Sequence, residues 1–160
     1  MSEVLSFFEN DRAAVRATEA LGREGESLAA KHLSNNGYRI ALTNFRVPIG
    51  RNSKGVQVTG EIDILALDGD TLCFIEVKTR RSEDFTPIIT AVDRRKQRQI
   101  ARTARVYRRM FNLFEMPIRY DAVTVLMKNN AAPMVEITKG YWNDGVLKHK
   151  VWRESSWLDN

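Results

Sequence analysis

The 160-residue chain has one cysteine, two histidines and four prolines, and its longest uninterrupted apolar runs, Ile64–Leu67 and Leu72–Ile75, are four residues each. Each scarcity excludes something. A membrane span takes roughly 20 apolar residues, so none is expected. Cys73 has no partner for an intramolecular disulfide, which removes the stapled secreted folds and favours a reducing, cytoplasmic setting. The opening MSEVLSFFEN has neither a basic start nor an apolar segment followed by small residues, so no secretory signal is expected. His32 and His149 have no Cys or His companions at ligand spacing, which argues against zinc, and serine and histidine never combine into a hydrolytic triad. Gly22-Arg23-Glu24-Gly25 lacks the spacing and the preceding strand of a phosphate-cradling loop. With no repeat, low-complexity tract or Pro/Gly/Ser linker, residues 1–160 are expected to form a single domain, with its core over about 13–141 and a tail over 142–160.

What is present is a globular composition, 43% hydrophobic and 28% charged, with a net charge of +5. The charge is unevenly spread. Lys78 to Met110 holds 11 basic and three acidic residues, against 14 basic and 17 acidic in the remainder. Such a concentration suits a polyanion-binding face, and it equally suits a solvated helix.

Ala13 to Asn36 reads as a helix with Leu21, Leu28, Ala29 and Leu33 along one stripe, closed by Asn35-Asn36-Gly37, and the first dozen residues add at most a turn. Strands follow over Tyr38–Ile49 and Val56–Asp68, joined by the hairpin signal GRNSKG, then over Thr71–Arg80 after the turn Asp68-Gly69-Asp70. After a loop comes a basic helix over about Asp93–Asn112, with Ile100, Ala104, Tyr107 and Phe111 facing inward, then strands over Ile118–Lys128 and Met134–Thr138. The order α-β-β-β-α-β-β predicts an α/β domain, a mixed sheet flanked by helices. Trp142, Trp152 and Trp157 fall in or beside the tail, where packing is favoured over base stacking or a subunit contact.

The strands carry charges that packing does not explain. Strand parity puts Glu61 and Asp63 on one face with Leu65 and Leu67, opposite Ile62, Ile64 and Ala66. In the next strand Phe74, Glu76 and Lys78 share a face, with Cys73 on the other as a core residue. If the strands are neighbours, Asp63, Glu76 and Lys78 converge at one end of the sheet. Burying such charges costs several kcal/mol per ion unless they are paired or bound to a cation. A plain salt bridge satisfies that requirement. So does a Mg²⁺ site, which typically uses one or two carboxylates and leaves room for water and phosphate oxygens. Spacing alone is weak, since an Asp followed loosely by acid-x-Lys arises by chance about once in a chain this long. Glu26 lies along the apolar stripe of the first helix and Lys96 lies in line with the inward stripe of the second, and both add to the signal.

Gly60-Glu61-Ile62-Asp63, twelve residues, then Glu76-Val77-Lys78 within FIEVKTR resembles the catalytic signature of the PD-(D/E)XK nuclease superfamily. More closely, GREGESLAAKHLSNNGYRI, Asn44-Phe45-Arg46, GEIDILA, FIEVKTR, Lys96 and RYDAVTVL together look like the YraN-type family of small uncharacterised proteins in that superfamily, over about Gly22 to Tyr141. The resemblance implies a restriction-endonuclease-like fold and a Mg²⁺ or Mn²⁺ cofactor. It implies Asp63 and Glu76 as metal ligands with the Val77 carbonyl, Glu26 as a helix-borne acid acting directly or through water, and Lys78 as the catalytic lysine. It places Lys96 on a phosphate. Glu61 belongs to the motif without a defined role. One departure is VPIGRNSKGVQVT, a lengthened hairpin carrying Arg51 and Lys54 ahead of GEID.

The expected function is therefore metal-dependent hydrolysis of phosphodiester bonds in DNA, structure-selective or non-specific, since phosphate contacts position without reading sequence. Lys96, Arg80, Arg81, Arg94, Arg95, Arg98, Arg51 and Lys54 are the expected nucleic-acid contacts, with no membrane partner and a homodimer allowed by the resemblance. The competing expectations are a non-catalytic nucleic-acid-binding or adaptor module on the same fold, and a protein-interaction scaffold using the tail.

Overall fold

A computed structural model describes residues 2–81 and 92–147, with side chains from residue 14 onward. The loop after the third strand, and Trp152 and Trp157, lie outside the described residues. Helix α1 (Ser2–Asn35) leads into strands β1 (Arg39–Arg51), β2 (Gln57–Asp68) and β3 (Thr71–Arg81). Helix α2 (Arg94–Met110) then precedes β4 (Ile118–Met127), β5 (Met134–Trp142) and a short 3-10 helix over Asp144–Leu147. The predicted α/β order holds. Two lengths differ from expectation: α1 runs back to Ser2 rather than starting near Ala13, and β5 extends to Trp142. Trp142 is buried and stacks on Tyr120 with ring centroids 5.3 Å apart.

The five strands lie in sequence order, antiparallel except for the parallel β3–β4 pair that α2 connects. Gly37, at φ 88°, ends α1 with Tyr38 N donating to Leu33 O and Gly37 N to Ser34 O, the αL closure expected after Asn35-Asn36. Gly69, at φ 60°, takes the first central position of the two-residue β2–β3 turn. Asp93 caps α2 by accepting from Lys96 N at 2.8 Å.

Each face of the sheet has its own core. Ala29 and Leu33 of α1 cover Ile64, Ala66, Cys73, Ile75 and Val123, while Ile100, Ala101, Ala104 and Tyr107 of α2 cover Leu65, Phe74 and Tyr120. Phe111, expected on the inward stripe, is half exposed because it forms the C-cap of α2 and meets Tyr107 only at the rim. Strand parity also fails at one place. Ile62 packs on the α2 face although Ile64 and Ala66 pack on the α1 face. Opposite the intervening Asp63, between the pairs Thr43↔Ile64 and Phe45↔Ile62, stands Asn44 at φ 54°. A left-handed residue inside a strand coils the ribbon, which turns Ile62 and its cross-strand partner Phe45 to the α2 side.

Two glycines set how closely the helices approach. A Cβ on Gly25 would overlap Thr79 Oγ1 of β3, and one on Gly60 would overlap Thr103 Oγ1 of α2. Gly60→Ala is expected to lower unfolding free energy by about 1–3 kcal/mol, with part of the loss restored by Thr103→Ala in the same chain. Denaturant titrations of the four-member cycle check this. Strictly additive costs would show that the close approach carries no energy.

Candidate metal centre

The β2–β3 ladder ends at Ile64↔Ile75. Beyond that pair β3 continues against β4 as far as Arg81↔Met127, and the first half of β2 continues against β1, so the sheet forks. Asp63 and Glu76 are the next residues on either prong. Val77 N, which has no β2 carbonyl opposite it in the ladder, donates to Asp63 Oδ2 at 2.8 Å. Asp63 is 8% exposed and Glu76 1%.

Two lysines meet Glu76. Lys78 Nζ lies 2.8 Å from Oε1, and Lys96 Nζ, from the first turn of α2, lies 3.2 Å from Oε2. The second contact is an ion pair without hydrogen-bond alignment, so the buried Oε2 has no hydrogen-bond donor. Burial, then the charge of Glu76, push the Asp63 carboxyl up to about 7, against the Val77 N–H and Lys96, which favour its charged form. Burial opposes the charge of Lys96, but Glu76, Asp63 and Glu61 outweigh it and raise the lysine above its ordinary value.

Glu26, half-buried on α1 one residue beyond Gly25, contributes to the field at Asp63. Among the described residues no three His, Cys, Asp or Glu side chains gather into a metal-holding group, so Glu26 is not brought into a set with Asp63 and Glu76. Glu61 is bound instead to Arg46, whose Nε and Nη2 lie 2.9 and 2.8 Å from Oε1. Sequence reading did not single out Arg46 as a site residue. The cross-strand register Arg46↔Glu61 is the signal that identifies it, and the long hairpin between them obscures that register.

The hard oxygens of Asp63 and Glu76 suit Mg²⁺ or Mn²⁺, and the buried Glu76 Oε2, met only by the unaligned Lys96 ammonium at 3.2 Å, fits a cation there. A second acidic cluster makes the contrast. Asp121, fully buried, accepts from Arg119 Nε and Nη2, Gly140 N and Tyr38 OH, while Arg119 and Lys139 also hold Asp68. That network ties β2, β4 and β5 to Tyr38, just ahead of β1, and leaves neither Asp68 nor Asp121 short of donors. Cys73 faces this side, and burial pushes its thiol up to about 12, as befits a core residue.

Of the expected nucleic-acid contacts, Arg81, Arg94, Arg95 and Arg98 are exposed, and Arg80 is half-buried. Arg51 and Lys54 are exposed on the hairpin, where Arg51 Nη1 donates to Gly55 O at 2.7 Å and so braces its own turn. Along α2 the exposed arginines Arg95, Arg98, Arg102, Arg105 and Arg109 recur at spacings of three and four, which lines them up on the outward face.

The raised Asp63 has a pH signature. An unfolded aspartate titrates near 4, while the native one titrates near 7. The stability from that retained proton is complete below the unfolded value and is lost as pH rises through the native one. In the presence of chelator, Asp63→Asn, which still accepts from Val77 N, is expected to exceed the wild type in stability at pH 8 by about 1–3 kcal/mol. The gap should close by about pH 4.5. Denaturant unfolding across that range is the check, and a difference independent of pH would contradict it.

The family model of "Uncharacterised protein family UPF0102" matches residues 25–125, which include every residue of the fork and the arginine helix. A UPF0102 protein of Geotalea uraniireducens is 37% identical over 121 residues, covering 76% of this chain and 87% of that one. One of Paenarthrobacter aurescens is 40% identical over 126 residues, covering 79% and 96%. Another, of Chlorobaculum tepidum, is 43% identical over 112 residues, covering 70% and 79%. Among solved structures, the crystal structure of SSO0001 overlaps 86% of this chain and 60% of that one at a TM-score of 0.41 and 16% identity, a likeness too loose to argue from. By the family match and these relatives, the chain belongs to the uncharacterised protein family UPF0102.

Proposed function

We propose that the protein is a metal-dependent nuclease of the PD-(D/E)XK type that hydrolyses phosphodiester bonds in DNA. The observation that carries this reading is the fork: Asp63 and Glu76 buried side by side, one carboxylate oxygen without a hydrogen-bond donor, and Lys78 2.8 Å from Glu76. Asp63 and Glu76 would hold a Mg²⁺ or Mn²⁺ ion, with the Val77 carbonyl beside them and Glu26 acting only through water. When bound, the ion supplies Lewis-acid polarisation of a phosphate oxygen and acidification of the attacking water.

The chain's own groups do the rest. Lys78, 37% exposed at its side chain, reaches solvent from the acid it pairs with, so its ammonium can orient water and stabilise developing negative charge. Val77 N–H fixes one Asp63 oxygen and so sets the direction of the other. The exposed Arg94, Arg95 and Arg98, with Arg80, Arg81, Arg51 and Lys54, would hold the phosphate backbone without reading base edges. A non-catalytic DNA-binding module is the second reading, and the two lysines that already neutralise Glu76 favour it.

Cleavage of duplex, flap and four-way-junction DNA with Mg²⁺ or Mn²⁺ tests the proposal. Glu76→Gln and Lys78→Met are each expected to reduce turnover by at least about a hundredfold while leaving the fold intact. Folded wild-type protein that turns over none of these substrates would overturn it in favour of the module.

A further inference from the structure

Lys96 is given an unusual position by the fold. It sits on the first turn of α2, whose N-cap Asp93 anchors the Lys96 backbone N at 2.8 Å, while its side chain, 27% exposed, runs inward to the fork. There its ammonium lies 3.2 Å from Glu76 Oε2, the oxygen that no hydrogen bond satisfies. Lys78 makes a different contact, an aligned hydrogen bond to Oε1 from a more exposed side chain. Lys96 is thus the inward-reaching cation on the side of Glu76 that Lys78 does not occupy.

We infer that Lys96 is a positioning residue that holds the seat of the metal: its ammonium compensates the buried Glu76 beside Asp63, and a divalent ion held by those carboxylates would have to displace it. The inference rests on the metal-centre reading proposed above and adds a coupling to it. Four methylenes on an anchored backbone let the ammonium leave without moving the helix. Once displaced it remains at the N-terminal turn of α2, beside the exposed Arg94, Arg95 and Arg98, where an added phosphate is its natural partner. With a divalent ion held there, Lys96 would change from an internal counter-ion into a free cation at the N-terminal turn of α2.

Two quantities then move in opposite directions when Lys96 loses its charge. In chelator, Lys96→Met leaves Glu76 with one cation fewer and should lower the thermal midpoint by several degrees. Calorimetric titration with Mn²⁺ alone should show binding about tenfold tighter than in the wild type, because no ammonium has to be displaced. A merely structural lysine would weaken both, and a lysine that serves only as a phosphate contact would change neither. Lys96→Gln, closer in shape and polarity, provides the same comparison if the methionine variant does not fold. Wild-type binding of Mn²⁺ that is lost in Asp63→Ala, together with unchanged or weaker binding in both Lys96 variants, overturns this inference and leaves the metal centre standing. Absence of Mn²⁺ binding in the wild type and in both Lys96 variants overturns the metal centre and this inference with it.

Discussion

Two carboxylates buried within one fork repel each other and have given up most of their water, and the surrounding structure offsets that cost piece by piece. Val77 N–H is free for Asp63 because the β2–β3 ladder stops two residues earlier, at Ile64↔Ile75. Lys78 comes from the same strand as Glu76, and Lys96 reaches in from α2. The compensation is incomplete, with Asp63 driven toward its neutral form and Glu76 Oε2 short of a donor. Taking a counter-ion away from a buried acid costs about 3–5 kcal/mol, whereas neutralising one of two neighbouring buried acids relieves their repulsion. The Asp121 network shows what the same fold does with a buried acid that has only a structural job. It surrounds the acid with four donating groups and links strands through it.

The scaffold fixes the fork from three directions. Gly25 lets α1 settle onto Thr79 of β3, just beyond Glu76 and Lys78, and Gly60 lets α2 settle onto the outer half of β2. Gln99 Nε2 adds a hydrogen bond to Thr59 O at 2.9 Å, so the helix that supplies Lys96 is tied to the prong that supplies Asp63. The left-handed Asn44 bends the third direction, coiling β1 and β2 at the register position of Asp63. Close packing and a backbone twist thus place side chains that have no direct contact with these anchoring residues.

The element order and both helix-covered faces were legible in the sequence because apolar runs such as Ile64–Leu67 and Leu72–Ile75 mark strands covered on both sides, and apolar residues recur at helical spacing in α2. The convergence of Asp63, Glu76 and Lys78 followed from parity and one short turn, and Lys96 from its place in line with Ile100. Three features were hidden. Parity assumes an evenly pleated strand, and although asparagine tolerates positive φ, its presence at position 44 does not by itself announce that Ile62 turns to the other face. Arg46 finds Glu61 through a register that depends on bulges between Ile40 and Leu42 and between Pro48 and Gly50. The length of α1 was missed because Val4, Leu5, Phe7 and Phe8 span too few turns to establish helical periodicity by themselves.

The central claim is that the fork between β2 and β3 is a divalent-cation seat whose resident counter-ion is Lys96. A crystal of the protein soaked in Mn²⁺ and measured at the manganese absorption edge tests it most directly. The account predicts an anomalous peak within coordination distance of both Asp63 and Glu76, with the Lys96 ammonium withdrawn from Glu76 Oε2. A fork without a peak, with Lys96 still against Glu76, would contradict it.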